Sequence, residues 1–317
     1  METTKTTSKK GRGRKGLITQ EDIDKNAGFL GTKGNKLSRF KLYIEYEGTR
    51  YSGWQMQRNS KTVQGKLLEI AEKIFRGERV EIYGSGRTDA GVHALCQVAH
   101  LDVKTMLAPE IIRMKFNDEL PSDINIIEVE KAHPTRLPTS TARGGGHEFH
   151  ARHDAKSRSY IYQISRRRTA FGKSFVWWIK DELNFEKMQR ASQLFIGMHD
   201  FKSFADKDDE EKSTKVLIED VQLKEEGDLI LIRIIGSHFL WKMVRRMVGV
   251  LAEIGRGKLS EKDLKYFLEH DSPTPAKYTA PPSGLFLEKV LYDNEKIEKD
   301  FESTIKIRSI ERARLRG

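Results

Sequence analysis

The stretch from Gly84 to Ala94, Gly-Ser-Gly-Arg-Thr-Asp-Ala-Gly-Val-His-Ala, concentrates the most unusual chemistry in the chain. Its glycines permit tight turns, and Arg87 and Asp89, two residues apart, would let a loop hold a carboxylate in a cleft beside a cation. The GxxxxGK[ST] spacing of a phosphate cradle is absent. A plain turn stapled by an Arg–Asp pair would use the same residues. His147, His150 and His153 with Asp154 form a second concentration, loosely spaced for the metal site of a nuclease or hydrolase. Tyr160 and Tyr162 alternate with Ile161, so one strand face carries both rings, and the pattern does not choose which face is wet. Within a helix read from Phe239 to Ile254, the stripe Phe239, Leu240, Met243, Val244, Met247 and Leu251 leaves Arg245 on the side of His238, facing solvent or a cleft. Trp177 and Trp178 suit base stacking or buried packing. Cys96 has no cationic neighbour in its strand and reads as core, not as a nucleophile.

These side chains need a scaffold, and the periodicity supplies one. Phe40, Leu42, Ile44 and Tyr46 alternate with polar neighbours as in a half-buried strand. Thr62 can cap a helix with Val63, Leu67, Ile70, Ala71 and Ile74 on one face, ending at Gly77. Strands from Val80 to Tyr83 and Leu95 to Val103, a helix from Pro109 to Phe116 and a strand from Ile124 to Val129 complete a βαββαβ order. The second half repeats it: a strand from Tyr160 to Ile164, a helix from Phe185 to Ile196, strands from Val216 to Leu223 and Leu229 to Ile235. The helix from Phe239, an extra one from Ser260 to Leu268 and a strand from Leu285 to Leu291 follow. Split βαβ units of this type build antiparallel sheets with helices on one face, so two related α+β lobes are expected. The expected layout is a disordered basic arm at 1–37, a first lobe at 38–132, a linker at 133–148, a second lobe at 149–293 and a charged tail at 294–317.

Composition narrows the function classes. With 317 residues and 37% hydrophobic side chains, the chain can bury its own core, which removes small stapled scaffolds. Apolar runs such as Phe175 to Ile179 are far shorter than the ~20 residues of a membrane span, so no membrane partner is expected. A single cysteine excludes an intramolecular disulfide and a multi-cysteine zinc site, and fits a reducing, cytoplasmic compartment. Basic residues number 57 against 46 acidic, a net +11 that favours nucleic acid or other anionic partners. Much of the excess lies in the termini, and the first residues lack the apolar core of a signal peptide. The acidic run from Asp206 to Glu211 would repel phosphates and reads as a loop near the cleft that governs substrate choice.

Five segments carry a family resemblance. GSGRTDAGVHA resembles the catalytic loop of the TruA-type tRNA pseudouridine synthase family. YSGWQMQ with TVQGKLLE, FHARHDAKSRSYIYQI, HFLWKMVRRMVGVL and TAPPSGLFLEKV are similar to that family's other signatures, in the same order. The resemblance implies the pseudouridine synthase fold, two ferredoxin-like lobes sharing a mainly antiparallel sheet with the active-site cleft between them. It also implies a homodimer and tRNA, in its anticodon arm, as the substrate. Asp89 would attack a flipped-out uridine, Arg245 would pair with it, and Tyr160 would stack on the uracil while its hydroxyl assists proton removal at C5. Arg87, Phe149, His150, Arg152 and His153 would contact RNA. Substrate and product are isomers, so neither a cofactor nor a metal is expected. The basic arm, the linker, the acidic loop and the second arginine of VRR depart from the compact bacterial pattern and bear on the RNA target. Alternatives are the same chemistry on another tRNA site or RNA, a non-catalytic RNA-binding protein on tandem lobes, and a metal-dependent nuclease.

Overall fold

Strand β1 (Ser38–Tyr46) buries Phe40, Leu42, Ile44 and Tyr46, every second residue, because its alternate side chains meet the helices that follow. The computed structural model describes residues 37–132, 148–206 and 213–307. The expected arm, except for Leu37, and nearly all of the expected linker lie outside the described residues, as does most of the acidic run.

Helix α1 (Val63–Ile74) starts where Thr62 accepts a hydrogen bond from the Gly65 amide, and it buries Val63, Leu67, Ile70 and Ala71. Strands β2 (Val80–Gly84) and β3 (His93–Val103), helix α2 (Pro109–Glu119) and strand β4 (Ile124–Lys131) complete the first lobe. Strand order is β4-β1-β3 with β2 on the far side of β3, all antiparallel. The second lobe contains β5 (Ser157–Ser165), β6 (Trp177–Trp178), α3 (Phe185–Ser192), β7 (Gly197–Asp200), β8 (Lys215–Glu226) and β9 (Leu229–Gly236). It continues through α4 (Met243–Gly255), α5 (Glu261–Glu269), the short α6 (Thr274–Lys277) and β10 (Leu285–Leu291). Its order β10-β5-β9-β8 repeats that of the first lobe, with β7 added at the edge and β6 pairing parallel to the end of β5.

The lobes share one sheet because β3 is long enough to serve two neighbours along one edge. Its Ala99–Val103 end pairs with β2, and its start pairs in parallel with β10 through His93↔Phe286 and Ala94↔Leu287. Side chains of α1 to α5 join the strands in one apolar core. On the other sheet face, Ile161, Leu229 and Leu231 form a smaller cluster under Val176 and Phe301. The expected charged tail therefore begins as a packed strap. Arg233 donates to the Glu298 carbonyl at 2.7 Å and lies over the Phe301 ring, and Ser303 bonds Glu226.

Three local expectations change. The helix expected from Phe239 starts at Met243, because Lys242 is left-handed at φ 63° and the preceding residues form a turn at the cleft. The helix expected to reach Ile196 stops at Ser192 and tightens into a 3-10 turn over Gln193–Phe195. Strands β6 and β7 were not expected, since each is too short to show a period.

Candidate active site

The loop between β2 and β3 is fixed from both of its ends. The Ser85 amide donates to Val98 at 2.7 Å, and the Gln97 amide group donates to Gly86 at 3.1 Å. Further on, the Trp54 amide donates to the Thr88 carbonyl at 3.1 Å and the Tyr46 hydroxyl bonds the Thr88 hydroxyl at 2.8 Å. Gly53 explains part of YSGW: its φ is +91°, and a Cβ there would meet the Thr88 carbonyl oxygen at 2.5 Å. Asp89 is thus held on a braced loop and not on a mobile tip.

Asp89 faces a cleft of about 880 Å³ between the lobes. Its Oδ2 lies 3.0 Å from Nη1 of Arg245, which comes from the first turn of α4 in the other lobe. The pair is the one that the family resemblance implies; Arg87, which spacing alone offered as the partner, lines the same cleft. Arg245 is itself locked, since its Nε donates to the Ala280 carbonyl at 2.7 Å while the Ala280 amide donates to the Arg245 carbonyl at 3.0 Å. That clasp requires Gly249, one turn later, because a Cβ there would fall 1.6 Å from the Tyr278 carbonyl oxygen.

Tyr160 lines the cleft from β5 and packs edge-on against Phe239, with ring centroids 5.1 Å apart. Among the described residues its hydroxyl has no hydrogen-bond partner. Burial holds the phenol well above its usual range; Arg158 opposes the shift and Asp89 adds to it, so Tyr160 enters the site as a neutral hydroxyl. Tyr162, on the same strand face, lies deeper in the core and donates to the Pro281 carbonyl at 2.7 Å. The face left open by the sequence is therefore wet only at its Tyr160 end.

The remaining candidates separate. Arg152 lines the cleft. Phe149 is buried against Tyr292, with ring centroids 5.1 Å apart. His150 accepts the backbone amides of Arg152 and His153 on Nδ1, so it caps a turn, and its ring lies 4.2 Å from that of His153. His147 lies outside the described residues. Cys96 is half-buried and not a core residue, and burial raises its thiol pKa. Trp177 and Trp178 are placed on β6 and do not line the cleft, whereas Trp241, which the sequence reading passed over, lines it and is 48% exposed. Asp206, the first acid of the acidic run, binds Lys242 at 2.6 Å and also Arg246, so it anchors the entry to α4. Arg158 and Trp241 were missed because neither stands out by type or spacing; the available signal for Arg158 was its place two residues before Tyr160 on the same strand face.

A family model for tRNA pseudouridine synthase matches residues 42–138 and 191–293. The chain is 40% identical over 260 residues to tRNA pseudouridine synthase A of Rhodopseudomonas palustris (strain BisA53), covering 81% of this chain and 100% of the relative. It is 36% identical over 253 residues to tRNA pseudouridine synthase A of Thermoanaerobacter sp. (strain X514), covering 79% and 98%. The protein of the same name from Geobacillus sp. (strain WCH70) is 36% identical over 260 residues, covering 81% and 99%. With the doubled lobe, these matches define the pseudouridine synthase fold and an isomerase. The chain belongs to the tRNA pseudouridine synthase family.

Proposed function

We propose that this protein isomerises uridine to pseudouridine in the anticodon arm of tRNA, acting as a homodimer in the cytoplasm, with Asp89, Tyr160 and Arg245 as its catalytic residues. The observation that carries the reading is the Asp89–Arg245 pair, 3.0 Å across the junction of the two lobes and beside Tyr160. The uridine is flipped from its stack into the cleft. The N1–C1′ bond breaks with its electron pair leaving on uracil, and the Asp89 carboxylate traps or stabilises the cationic sugar. The uracil turns and C5 forms the new bond to C1′, releasing the Asp89 carboxylate from the sugar. The C5 proton is then lost and N1 gains one, so atoms and charge balance without a group donor or redox partner.

Arg245 holds the Asp89 carboxylate in a fixed direction through their 3.0 Å contact. Tyr160 supplies a ring against the uracil and, for the proton step at C5, a hydroxyl that has no partner among the described residues. Arg87 and Arg152, with Phe149, His150 and His153 behind or beside them, form the RNA-binding side, where guanidinium groups suit phosphates. The test is to incubate purified protein with tRNA transcripts and map pseudouridines chemically. Product confined to anticodon-arm uridines is expected. Product in another arm overturns the target, and no product from folded protein overturns the reading. Light scattering of the purified protein checks the dimer.

A further inference from the structure

We propose that Arg158 is a positioning residue, a four-point staple that sets the loop bearing Asp89 against the lobe bearing Tyr160 and Arg245; this rests on the catalytic reading above. Its Nη2 donates to the Ser85 carbonyl at 2.9 Å and to the Arg152 carbonyl at 3.0 Å. Its Nη1 donates to the Ser237 carbonyl at 2.9 Å and to the Ala155 carbonyl at 3.2 Å. These acceptors come from three places: the start of the catalytic loop, the turn before β5, and the chain that leaves β9 toward Phe239 and Arg245. Arg158 itself lies on β5, two residues before Tyr160 and on the same face. One side chain therefore touches every segment that delivers a member of the site.

The join between the lobes gives such a staple a task. Strand β10 meets β3 through only the Phe286↔His93 and Leu287↔Ala94 pairs, so backbone pairing alone gives the loop little leverage over its distance from α4. Ser85 is already rigid within its own lobe, since its amide donates to Val98 and its hydroxyl donates to Gln97 at 2.6 Å. Tying that rigid point to Ser237 transfers the register of one lobe to the other.

The chemistry of the group fits a staple better than a phosphate contact. Among the described residues no carboxylate pairs with Arg158, although it is half-buried and lines the cleft. Its four Nη hydrogens are all committed to carbonyls, which leaves none of them for an RNA phosphate. Lysine cannot substitute, because three donors on one nitrogen do not span four acceptors held in a planar fork.

The experiment uses Arg158→Met and Arg158→Lys in the full chain, with single-turnover rates, tRNA affinity and backbone hydrogen exchange measured on each. Both variants are expected to lower the single-turnover rate by about 10²-fold, as a small misplacement of reacting groups does. tRNA affinity should stay within about twofold of wild type, since no phosphate contact is removed. Amides of residues 86–91 should exchange faster in both variants, while those of β3 keep their protection. Restoration of the rate by lysine overturns the staple in favour of charge alone. Loss of affinity in place of rate makes Arg158 an RNA contact and also overturns it, as does unchanged exchange in the loop. The lysine variant retains charge and stem, so it reports even if the methionine variant does not fold. The exchange arm is independent of chemistry: an active Asp89→Asn variant would sink the catalytic reading and leave the staple result standing.

Discussion

The two lobes repeat one strand order, yet the corresponding hairpins differ sharply. In the second lobe β8 passes to β9 through Gly227 and Asp228 alone. In the first lobe the equivalent passage from β2 to β3 takes Ser85 to Val92, and it is this loop that carries Asp89. A tight turn thus suffices for the second hairpin, and the first adds residues that present Asp89. The second helices differ in the same sense. Helix α2 begins conventionally, with Pro109 at its first position, and buries only Ile111, Ile112 and Phe116. Helix α4 follows left-handed Lys242, is buried over nearly its whole length and sends Arg245 into the cleft. One lobe has spent its hairpin on the acid; the other has spent its second helix on the acid's partner. The cleft that holds Asp89, Arg245 and Tyr160 therefore lies at the junction, with neither lobe forming it alone.

Removal of the acid should have the largest effect. Asp89→Asn should reduce pseudouridine formation below detection while tRNA affinity stays within about tenfold, because few phosphate contacts are lost. Gel-shift titration beside product mapping checks it, and wild-type-like turnover would show that the long loop serves some other purpose.

Removing the partner should cost less. Arg245→Lys keeps a charge but cannot serve both Asp89 and the Ala280 carbonyl, so turnover should fall by about 10²-fold with little change in affinity. A fall in binding alone would make Arg245 a phosphate contact. Tyr160→Phe should slow single turnover by about 10²-fold through loss of the hydroxyl. Tyr160→Ala should lose in addition roughly 1–3 kcal/mol of base stacking, read as weaker substrate binding. Equal, near-normal rates in both variants would take Tyr160 out of the site.

Gly249→Ala tests the clasp that holds α4. The methyl would press on the Tyr278 carbonyl, so a loss of about 1–3 kcal/mol in urea denaturation is expected, with lower turnover as Ala280 moves from Arg245. Unchanged stability would mean that residues 278–280 yield freely and do not aim the arginine.

The smallest effect concerns pH and the first lobe. Burial lowers the His100 pKa from its ordinary 6.5 to about 4, and Nδ1 accepts the Ala151 amide at 3.1 Å. Between those values the unfolded chain binds a proton at this ring that the folded chain does not. The stabilising contribution is therefore complete above pH 6.5 and is lost as the pH falls toward about 4. Over that window His100→Gln, which keeps an acceptor, should show a shallower fall in denaturation midpoint than wild type. Parallel curves would remove His100 as the source.

Much of this arrangement is legible in the residues, for identifiable reasons. Alternation in Phe40–Tyr46 and the Thr62 cap of α1 are local signals, and both elements form as read. The doubled βαββαβ order follows from such signals in sequence. Other features depend on distant neighbours. Phe239 and Leu240 fit a helical stripe, but Asp206 binding Lys242 and Arg246 accompanies a helix that starts only at Met243. Phe149, an RNA-contact candidate through the family resemblance, packs against Tyr292, which comes from a segment far along the chain.

The sequence by itself determined the element order, the two-lobe class, the carboxylate loop and, through five ordered segments, the family. Each depends on spacing along the chain, which is where helix period, strand alternation and motif identity reside. The tertiary structure brings Asp89 to 3.0 Å from Arg245, the pairing that the family resemblance implied. It alone showed that Tyr160 is the wet end of its strand face and that Arg158 gathers carbonyls from three segments. Those outcomes follow from the meeting of β3 with β10 and the close approach of residues 278–280 to α4, and distances between groups so far apart in sequence are set by packing.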